Sequence, residues 1–272
     1  MTAHIYALVP VPKNCQQYKR LSDYMANNRL VINPDKTHLV VMGTKKFEGK
    51  RDDIYIDTGH SIIHPTESEK LLGANIHQSL KWGNHVITNK NSLLSSLTTR
   101  LNGLKCISKV ASFKTRLKVA NACFMSILTY MIAVWGGTEE YILNCVQVMQ
   151  NKAARCVTKT NDFYTPTSEL LDQCGWLSVR QLVFYHTVLQ LWKTMRTKRP
   201  AHIYSQMELT RTRSASTGNL KIPSRKTTLA TKSFIVRAPK YWNEIPSEIR
   251  ECDTLNQFKS KLKKYIKQHV PV

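Results

Sequence analysis

Acidic side chains are scarce in this sequence, and long stretches contain none. Its 272 residues include 18 Asp and Glu against 40 Lys and Arg, which gives a formal net charge of +22 at pH 7. Such an excess of positive charge indicates a polyanionic partner, with nucleic acid first and an anionic membrane surface second. Because 42% of the residues are hydrophobic and only 21% are charged, the composition excludes a disordered basic tail and predicts a packed globule.

The motifs of several metal and catalytic sites are also missing. The seven cysteines are too far apart for a CxxC zinc or redox site, and the sequence has no HExxH. His60 and His64 lie on a predicted hairpin, where their spacing does not favour a metal ion. The pair Asp52-Asp53 is flanked by basic residues and is typical of a turn. The residues alone therefore predict no metal site and no complete active site.

Targeting and membrane signals are absent as well. The first residues, MTAHIYALVPVPKN, lack the basic start and apolar run of a secretory signal. An odd number of cysteines without such a signal favours a reducing compartment and mostly buried thiols, so we predict an intracellular protein of the cytoplasm or nucleus. Residues 119–138 are uncharged and long enough to cross a membrane, but their polar residues and glycines favour one buried helix. A membrane partner is disfavoured.

The positive charge is concentrated in two tracts. No acid lies between Glu69 and Glu139, and residues 173–243 contain thirteen bases and only Glu208. A single lysine on a helix is most often merely solvated, but tracts of this length without acids favour contact with phosphates. The bases of the first tract are Lys70, Lys81, Lys90, Arg100, Lys105, Lys109, Lys114, Arg116 and Lys118.

The spacing of apolar residues predicts short strands followed by helices. A helix is predicted over residues 15–28, then β-rich runs at 29–32 and 37–42 around a turn, a hairpin of 54–56 with 61–63, and a strand over 71–76. Leucines at 93, 97, 101 and 104 predict the next helix. The N-cap residues predicted for four later helices are Ser112, Thr138, Ser178 and Asp253. The helix after Ser112 should run to Trp135, and the five tryptophans should be core anchors.

Several patterns then follow one another in the order of a known family. Residues 28–37, NRLVINPDKT, resemble the LxLNxxKT stretch of reverse transcriptases encoded by non-LTR retrotransposons. Residues 69–82, EKLLGANIHQSLKW, with His85, resemble the KxLGxxID..LxW..H segment of that family, although His77 stands where Asp is usual. LTY at 128–130, WG at 135–136 and QNKAAR at 150–155 resemble its thumb helices. GWLSV at 175–179 and WNEIP at 242–246 resemble its C-terminal region.

The resemblance covers nearly the whole chain and implies three parts. Residues 1–82 would be a partial reverse-transcriptase palm with the primer-grip hairpin, residues 83–160 a thumb-like helical bundle, and residues 161–272 a helical C-terminal region with a basic loop at 210–232. The expected fold class is α+β and mostly α, with a small truncated palm-like unit before the helical parts.

The resemblance also implies roles for particular residues. Lys36 would contact the phosphates of the incoming nucleotide, unless it is only an exposed turn lysine. Leu71, Leu72 and Gly73 would form the primer grip, unless they are core strand residues. The nine bases of the first tract would contact the template-primer, mostly through phosphates and without reading sequence.

The aspartates that bind metal in this family lie in earlier motifs, one of them a YxDD hairpin before LxLNxxKT. This sequence has no YxDD, and Asp52-Asp53 follows Lys36. The expected function is therefore that of a truncated RNA-directed DNA polymerase, inactive alone, with Mg²⁺ needed only by the full-length enzyme. The expected partners are RNA or an RNA/DNA duplex and the missing N-terminal polymerase part. The alternative is a co-opted, non-enzymatic basic protein that binds RNA, DNA or another protein.

Overall fold

The computed structural model describes residues 4–7, 16–43, 53–58, 61–162, 164–210 and 218–271. The chain divides into two compact units, Met1–Asn89 and Lys90–Val272. Short strands dominate the first unit, and helices dominate the second. The expected α+β class with mostly helix is therefore confirmed. The division into three parts at residues 82 and 160 stays a prediction.

The first unit is built from two-stranded ladders. Its elements are β1 (His4–Ala7), α1 (Gln16–Asn27), a 3₁₀ turn (Pro34–Lys36), β2 (His38–Val41), β3 (Ile56–Asp57), β4 (Ile62–Ile63), β5 (Ser68–Leu71), β6 (Ala74–His77) and a π-helical turn (Asn84–Thr88). Strand β1 is parallel to β2, whereas β3 with β4 and β5 with β6 are antiparallel hairpins. The hairpin predicted around residues 54–63 is confirmed. Leu39 and Val41 of β2 and Ile56 of β3 form a buried hydrophobic cluster in this unit.

The β-rich run predicted at residues 29–32 is not a strand. Arg29 has a left-handed φ of +55° and ends α1, since its N–H bonds the Ala26 carbonyl and the Leu30 N–H bonds the Met25 carbonyl at 2.8 Å. This pair of bonds is a Schellman cap. The backbone groups of this run are thus used to close the helix, which overrides its strand propensity.

The second unit is a bundle of helices. They are α2 (Leu93–Ser108), α3 (Phe113–Val119), a π-helical segment (Ala120–Met125), α4 (Ser126–Thr129), α5 (Ile132–Trp135), α6 (Glu140–Thr158), α7 (Thr167–Gln173), α8 (Val179–Thr197), α9 (Ala201–Tyr204), α10 (Thr228–Thr231), α11 (Phe234–Glu244), α12 (Ser247–Arg250) and α13 (Leu255–His269). Helix α2 packs on α6, and α8 packs on α5, α6, α11 and α13. Trp135, Trp176, Trp192 and Trp242 are buried, as predicted, while Trp82 is half-buried.

The helix predicted to run to Trp135 is interrupted. The chain leaves the helix at Tyr130, and Met131 has a left-handed φ of +53°. The Trp135 indole N–H donates to the Tyr130 carbonyl at 2.9 Å. This bond gives a partner to a carbonyl that the break leaves without a helical hydrogen bond.

Two of the four predicted N-caps are confirmed. Ser112 accepts the N–H of Thr115, and Ser178 forms the full capping box with Gln181. The other two predictions are wrong by one residue, because the N-caps of α6 and α13 are Glu139 and Thr254. The Thr254 hydroxyl accepts the Gln257 N–H, so the hydroxyl rather than the Asp253 carboxylate caps α13.

The basic loop is only partly within the described residues, since residues 211–217 lie outside them. After that gap the Asn243 side chain holds Leu220 through two 2.8 Å hydrogen bonds to its backbone N–H and C=O. Leu220 is buried. This side of the loop is therefore anchored on α11.

The prediction of mostly buried thiols is wrong for the described cysteines. Cys174 and Cys252 are buried, Cys145 and Cys156 are half-buried, and Cys106 and Cys123 are exposed; all six are free. Burial raises the pKa of the Cys174 thiol to about 11. That thiol stays protonated and acts as a small apolar core group.

Candidate nucleic-acid interface

The residues predicted as a primer grip lie at the tip of the β5–β6 hairpin. Leu71 pairs with Ala74, while Leu72 and Gly73 form the turn with φ of +47° and +86°. A single strand over residues 71–76 was expected, and this expectation is wrong, because two successive positive φ values reverse the chain. Gly73 is suited to this turn by its backbone freedom, and the Leu72 side chain is 79% exposed.

Lys36 is presented by a turn that its own motif builds. The Asn33 side-chain oxygen accepts the Asp35 N–H at 2.9 Å, and the Asn33 carbonyl accepts the Thr37 hydroxyl at 2.8 Å. Thr37 is buried, whereas Lys36 is exposed. The Asn, Lys and Thr of this motif therefore form one closed turn with its cation in solvent. This turn was expected to join two strands. It precedes β2, but no strand leads directly into it, since residues 29–32 are not a strand.

The Trp82 and His85 pair makes internal contacts in the first unit. The His85 Nδ1 accepts the Asn75 N–H at 3.4 Å, and the Trp82 ring meets the His85 ring edge-on. Burial, and then the nearby Lys70 ammonium, lower the pKa of His85. A neutral His85 thus ties β6 to the π-helical turn. Lys70 and Lys81 remain exposed on the same unit.

Helix α2 presents its bases on two flanks of one buried stripe. Leu93, Leu97, Leu101 and Leu104 are buried as predicted. Arg100 and Lys105 are exposed and stand about 140° apart around the helix axis, so they do not share a face. Lys105 and Lys109 lie one turn apart on the same side. Lys114 and Lys118 are likewise one turn apart and exposed on α3.

Arg116 does not belong to the predicted interface. It is 5% exposed, and its Nε and Nη1 donate to the carbonyls of Val157 at 2.7 Å and Ala111 at 2.6 Å. The guanidinium therefore joins the start of α3 to the end of α6 and is not available to a phosphate. Lys114 and Lys118 lie on the opposite, exposed side of the helix. Of the three bases of α3, Arg116 therefore has a structural role.

A further base joins the tract through the fold. The Lys159 ammonium donates to the Lys109 carbonyl at 3.4 Å, although the two residues are fifty positions apart. Lys159 has a left-handed φ of +58° at the end of α6. Lys159 was not among the predicted bases, since it follows Glu139 and so lies outside the acid-free tract.

The described ion pairs of the second unit involve no base of the first acid-free tract. Within the described part of the unit they join Arg180–Glu140, Arg196–Asp253, Lys221–Glu208, Lys232–Glu139 and Lys267–Asp172. Each base in these pairs lies beyond residue 179. Exposed bases that form no ion pair with any acid that the structure describes are Lys90, Arg100, Lys105, Lys109, Lys114 and Lys118.

Residues of the thumb-like and C-terminal motifs form hydrogen bonds inside the second unit. Gln150 is fully buried and donates to the Leu177 carbonyl at 2.9 Å. Arg155 donates to the carbonyls of Asp162 and Thr165, and the Trp176 indole donates to Asn121 at 2.8 Å. These residues are therefore positioned by internal hydrogen bonds.

Among the residues described, no three His, Cys, Asp or Glu side chains are grouped so that they could hold a metal ion. Asp53 is exposed in a turn, and Asp52 lies outside the described residues. None of the helices in the described ranges has both the length and the hydropathy to cross a bilayer. Comparison with family models, with curated proteins and with solved structures finds no match to this chain.

Proposed function

We propose that this chain binds a nucleic-acid duplex through the exposed bases of α2 and α3. One observation carries the proposal: six exposed bases between residues 90 and 118 have no acidic partner in the described part of the chain, while the ion pairs of the unit lie elsewhere. Surface cations that no acid neutralises repel one another, and a polyanion relieves this repulsion as counterions are released.

The densest part of the surface is formed by Lys105, Lys109 and Lys159. Lys105 and Lys109 are one turn apart on α2, and Lys159 reaches the Lys109 carbonyl from α6. Lysine ammoniums bind phosphates as point charges and do not make the planar, bidentate contacts that distinguish base edges. We therefore expect affinity for RNA/DNA and RNA duplexes without sequence preference.

The resemblance extends this proposal to a biological role, that of the distal part of a non-LTR retrotransposon reverse transcriptase. The hairpin tip with Leu71, Leu72 and Gly73 would then lie near the primer, and Lys36 near nucleotide phosphates. A polymerase site needs carboxylates that hold two metal ions, and the sequence has no YxDD. We propose that Mg²⁺ and catalysis belong to an N-terminal polymerase part that this chain would partner.

The binding surface is tested by fluorescence anisotropy with a labelled RNA/DNA hybrid at several salt concentrations. Replacing Lys105, Lys109 and Lys159 by Gln should weaken binding about tenfold or more and make the salt dependence shallower, since each lost phosphate contact lowers the slope by about one. The matched control replaces Lys240, Lys261 and Lys264 by Gln, which removes the same charge elsewhere. An equal loss in the control would show that only net charge matters.

Primer extension tests the absence of catalysis. The purified chain with Mg²⁺, primed RNA and nucleotides should incorporate nothing above background, and any incorporation would sink this part of the proposal. The alternative, a co-opted and non-enzymatic basic protein, leads to the same expected results for duplex binding and for primer extension. Genomic sequence upstream of the Met1 codon separates them, because an in-frame palm with YxDD supports the retrotransposon role and an intervening promoter with introns supports co-option.

A further inference from the structure

A cavity of about 180 Å³ lies in the second unit where the interrupted helix meets α8. Thr129 and Ala133 line it from the two sides of the break, and His186, Gln190 and Lys193 line it from α8. In the same measure a single water needs only about 10–15 Å³. The cavity therefore admits a polyatomic group, and it is open to solvent on one side.

The charges around this cavity are positive and unneutralised. Lys193 lies on its wall, and Lys259 of α13 is close enough to act on His186. Neither lysine forms an ion pair within the described part of the chain. Burial, then Lys193 and Lys259, lower the pKa of His186 to about 4. His186 is thus a neutral imidazole with one N–H to donate at physiological pH.

The His186 ring and the Gln190 amide on the cavity wall are free to bind a ligand. No hydrogen bond joins the His186 ring or the Gln190 amide to another side chain or carbonyl that the structure describes. A neutral ring donor, an amide donor and the Lys193 ammonium therefore line one space, and Lys259 adds positive charge near it. Their combined character, donors with excess positive charge and no carboxylate, suits an oxyanion.

We propose that this cavity binds a phosphate monoester through Lys193, His186 and Gln190, with the nearby Lys259 adding positive charge. Two lysines match the double negative charge of the monoester, and the open side leaves room for the attached group. The site uses none of the bases of α2 and α3 and does not depend on the duplex proposal or on the resemblance. The monoester could come from a free nucleotide or from the terminal phosphate of a strand, and both present the same group.

The test is a titration of the full-length protein followed by the side-chain NMR signals of histidine, with the His186 signal identified by its loss in His186→Gln. The probes are inorganic phosphate, a nucleoside 5′-monophosphate, and one short oligonucleotide with and without a 5′-phosphate. We expect a saturable shift of the His186 signal with the monophosphate. Response to the phosphorylated oligonucleotide and not to the free nucleotide would identify the strand end as the source.

Variants separate this site from general charge. Lys193→Gln should weaken phosphate binding about tenfold or more, because it removes a charge-assisted contact, and Lys259→Gln should also weaken it, because it removes a nearby positive charge. Lys193→Arg should retain binding. Lys264→Gln, on the outer face of α13, is the matched control and should leave the affinity unchanged, as should the Lys105, Lys109 and Lys159 triple variant.

Two results would overturn the proposal. One is the absence of a saturable shift with every probe, and the other is an equal loss of affinity in Lys264→Gln, which would mean diffuse attraction. Thermal unfolding of each variant is measured first, and Lys259→Gln provides a second reading if Lys193→Gln does not fold. Loss of duplex binding in the triple variant with retained phosphate binding would confirm that the two surfaces are distinct.

Discussion

At the scale of single residues, close contacts rather than flexibility explain two neighbouring glycines. A Cβ on Gly136 would meet the Ile132 carbonyl and the Val183 side chain, and one on Gly137 would meet the Lys232 carbonyl and the Arg237 guanidinium. Arg237 is buried, and its Nη2 donates to the Ala133 carbonyl. The end of α5 is thus pressed against α8 and against the turn before α11.

We expect Gly137→Ala to lower the free energy of unfolding by about 1–3 kcal/mol, since the added methyl group overpacks against backbone. Gly103→Ala is the control, because a Cβ there meets nothing within 4 Å and alanine favours a helix over glycine by roughly 0.8–1 kcal/mol. Urea unfolding followed by circular dichroism measures both. Equal effects of the two substitutions would contradict the close contact.

His186 makes stability depend on pH. Its pKa is about 4 in the folded chain and 6.5 ordinarily, so between these values the unfolded chain binds a proton that the folded chain does not. This contribution to stability is complete above pH 6.5 and is lost as the pH falls towards 4. The nearby charges of Lys193 and Lys259 also lower the pKa of the ring and so act in the same direction as burial.

From about pH 7 to about pH 5, the wild type should lose on the order of 2 kcal/mol through this residue. In His186→Gln the loss of unfolding free energy should be smaller by that amount. In His202→Gln, a control at an exposed position, the loss should equal that of the wild type. Urea unfolding at the two pH values gives the comparison. An unchanged loss in His186→Gln would show that His186 is not the group responsible.

At the scale of elements, the start of α8 is fixed by contacts from two sides. Its capping box satisfies two backbone groups, since the Ser178 hydroxyl accepts the Gln181 N–H and the Gln181 side chain accepts the Ser178 N–H. From α6, Gln147 accepts the Val179 N–H at 2.7 Å, and Gln150 donates to the Leu177 carbonyl. Helix α8 is the hub of the unit, so its first turn sets the positions of its neighbours.

Ser178→Ala should therefore lower the free energy of unfolding by about 1–2 kcal/mol, the upper part of the range for a lost N-cap. Ser260→Ala, at an exposed position within α13, should change it by less than about 0.5 kcal/mol. Thermal or urea unfolding of the full chain measures the difference. A cost no larger than that of Ser260→Ala would mean that packing alone holds the start of α8.

At the scale of the whole molecule, the chain consists of two units joined near Asn89. Residues 88–91 at this junction are exposed. The second unit has its own buried core, including Leu97, Phe124, Trp135 and Phe258, whereas the buried cluster of the first unit is small. Two-stranded ladders of this kind are only marginally stable without further cover.

Limited proteolysis of the full chain should accordingly leave a resistant fragment that begins near residue 90, because local opening is easiest at exposed junctions and in small cores. Mass spectrometry identifies the fragment. The first unit should be degraded or aggregate. Protection of one full-length species throughout the digestion would contradict this expectation.

Local sequence signals determined much of the second unit. The leucine stripe of α2 and the caps Ser112 and Ser178 depend on neighbours three or four residues away. Burial of four of the five tryptophans follows from their large apolar surface. The net charge and the acid-free tract also belong to the sequence itself. Such features follow from composition and helical periodicity alone.

Tertiary structure decided the rest. Arg116 is buried because it bonds the end of α6, and the Trp135 indole bonds the carbonyl exposed by the break at Met131. Lys159 lies beside Lys109 because α6 ends there. The cavity requires α8 beside that break. Most of these features join groups that are far apart in the sequence, and the break needs a backbone conformation that local propensity disfavours. Such arrangements become favourable only when packing brings the groups together.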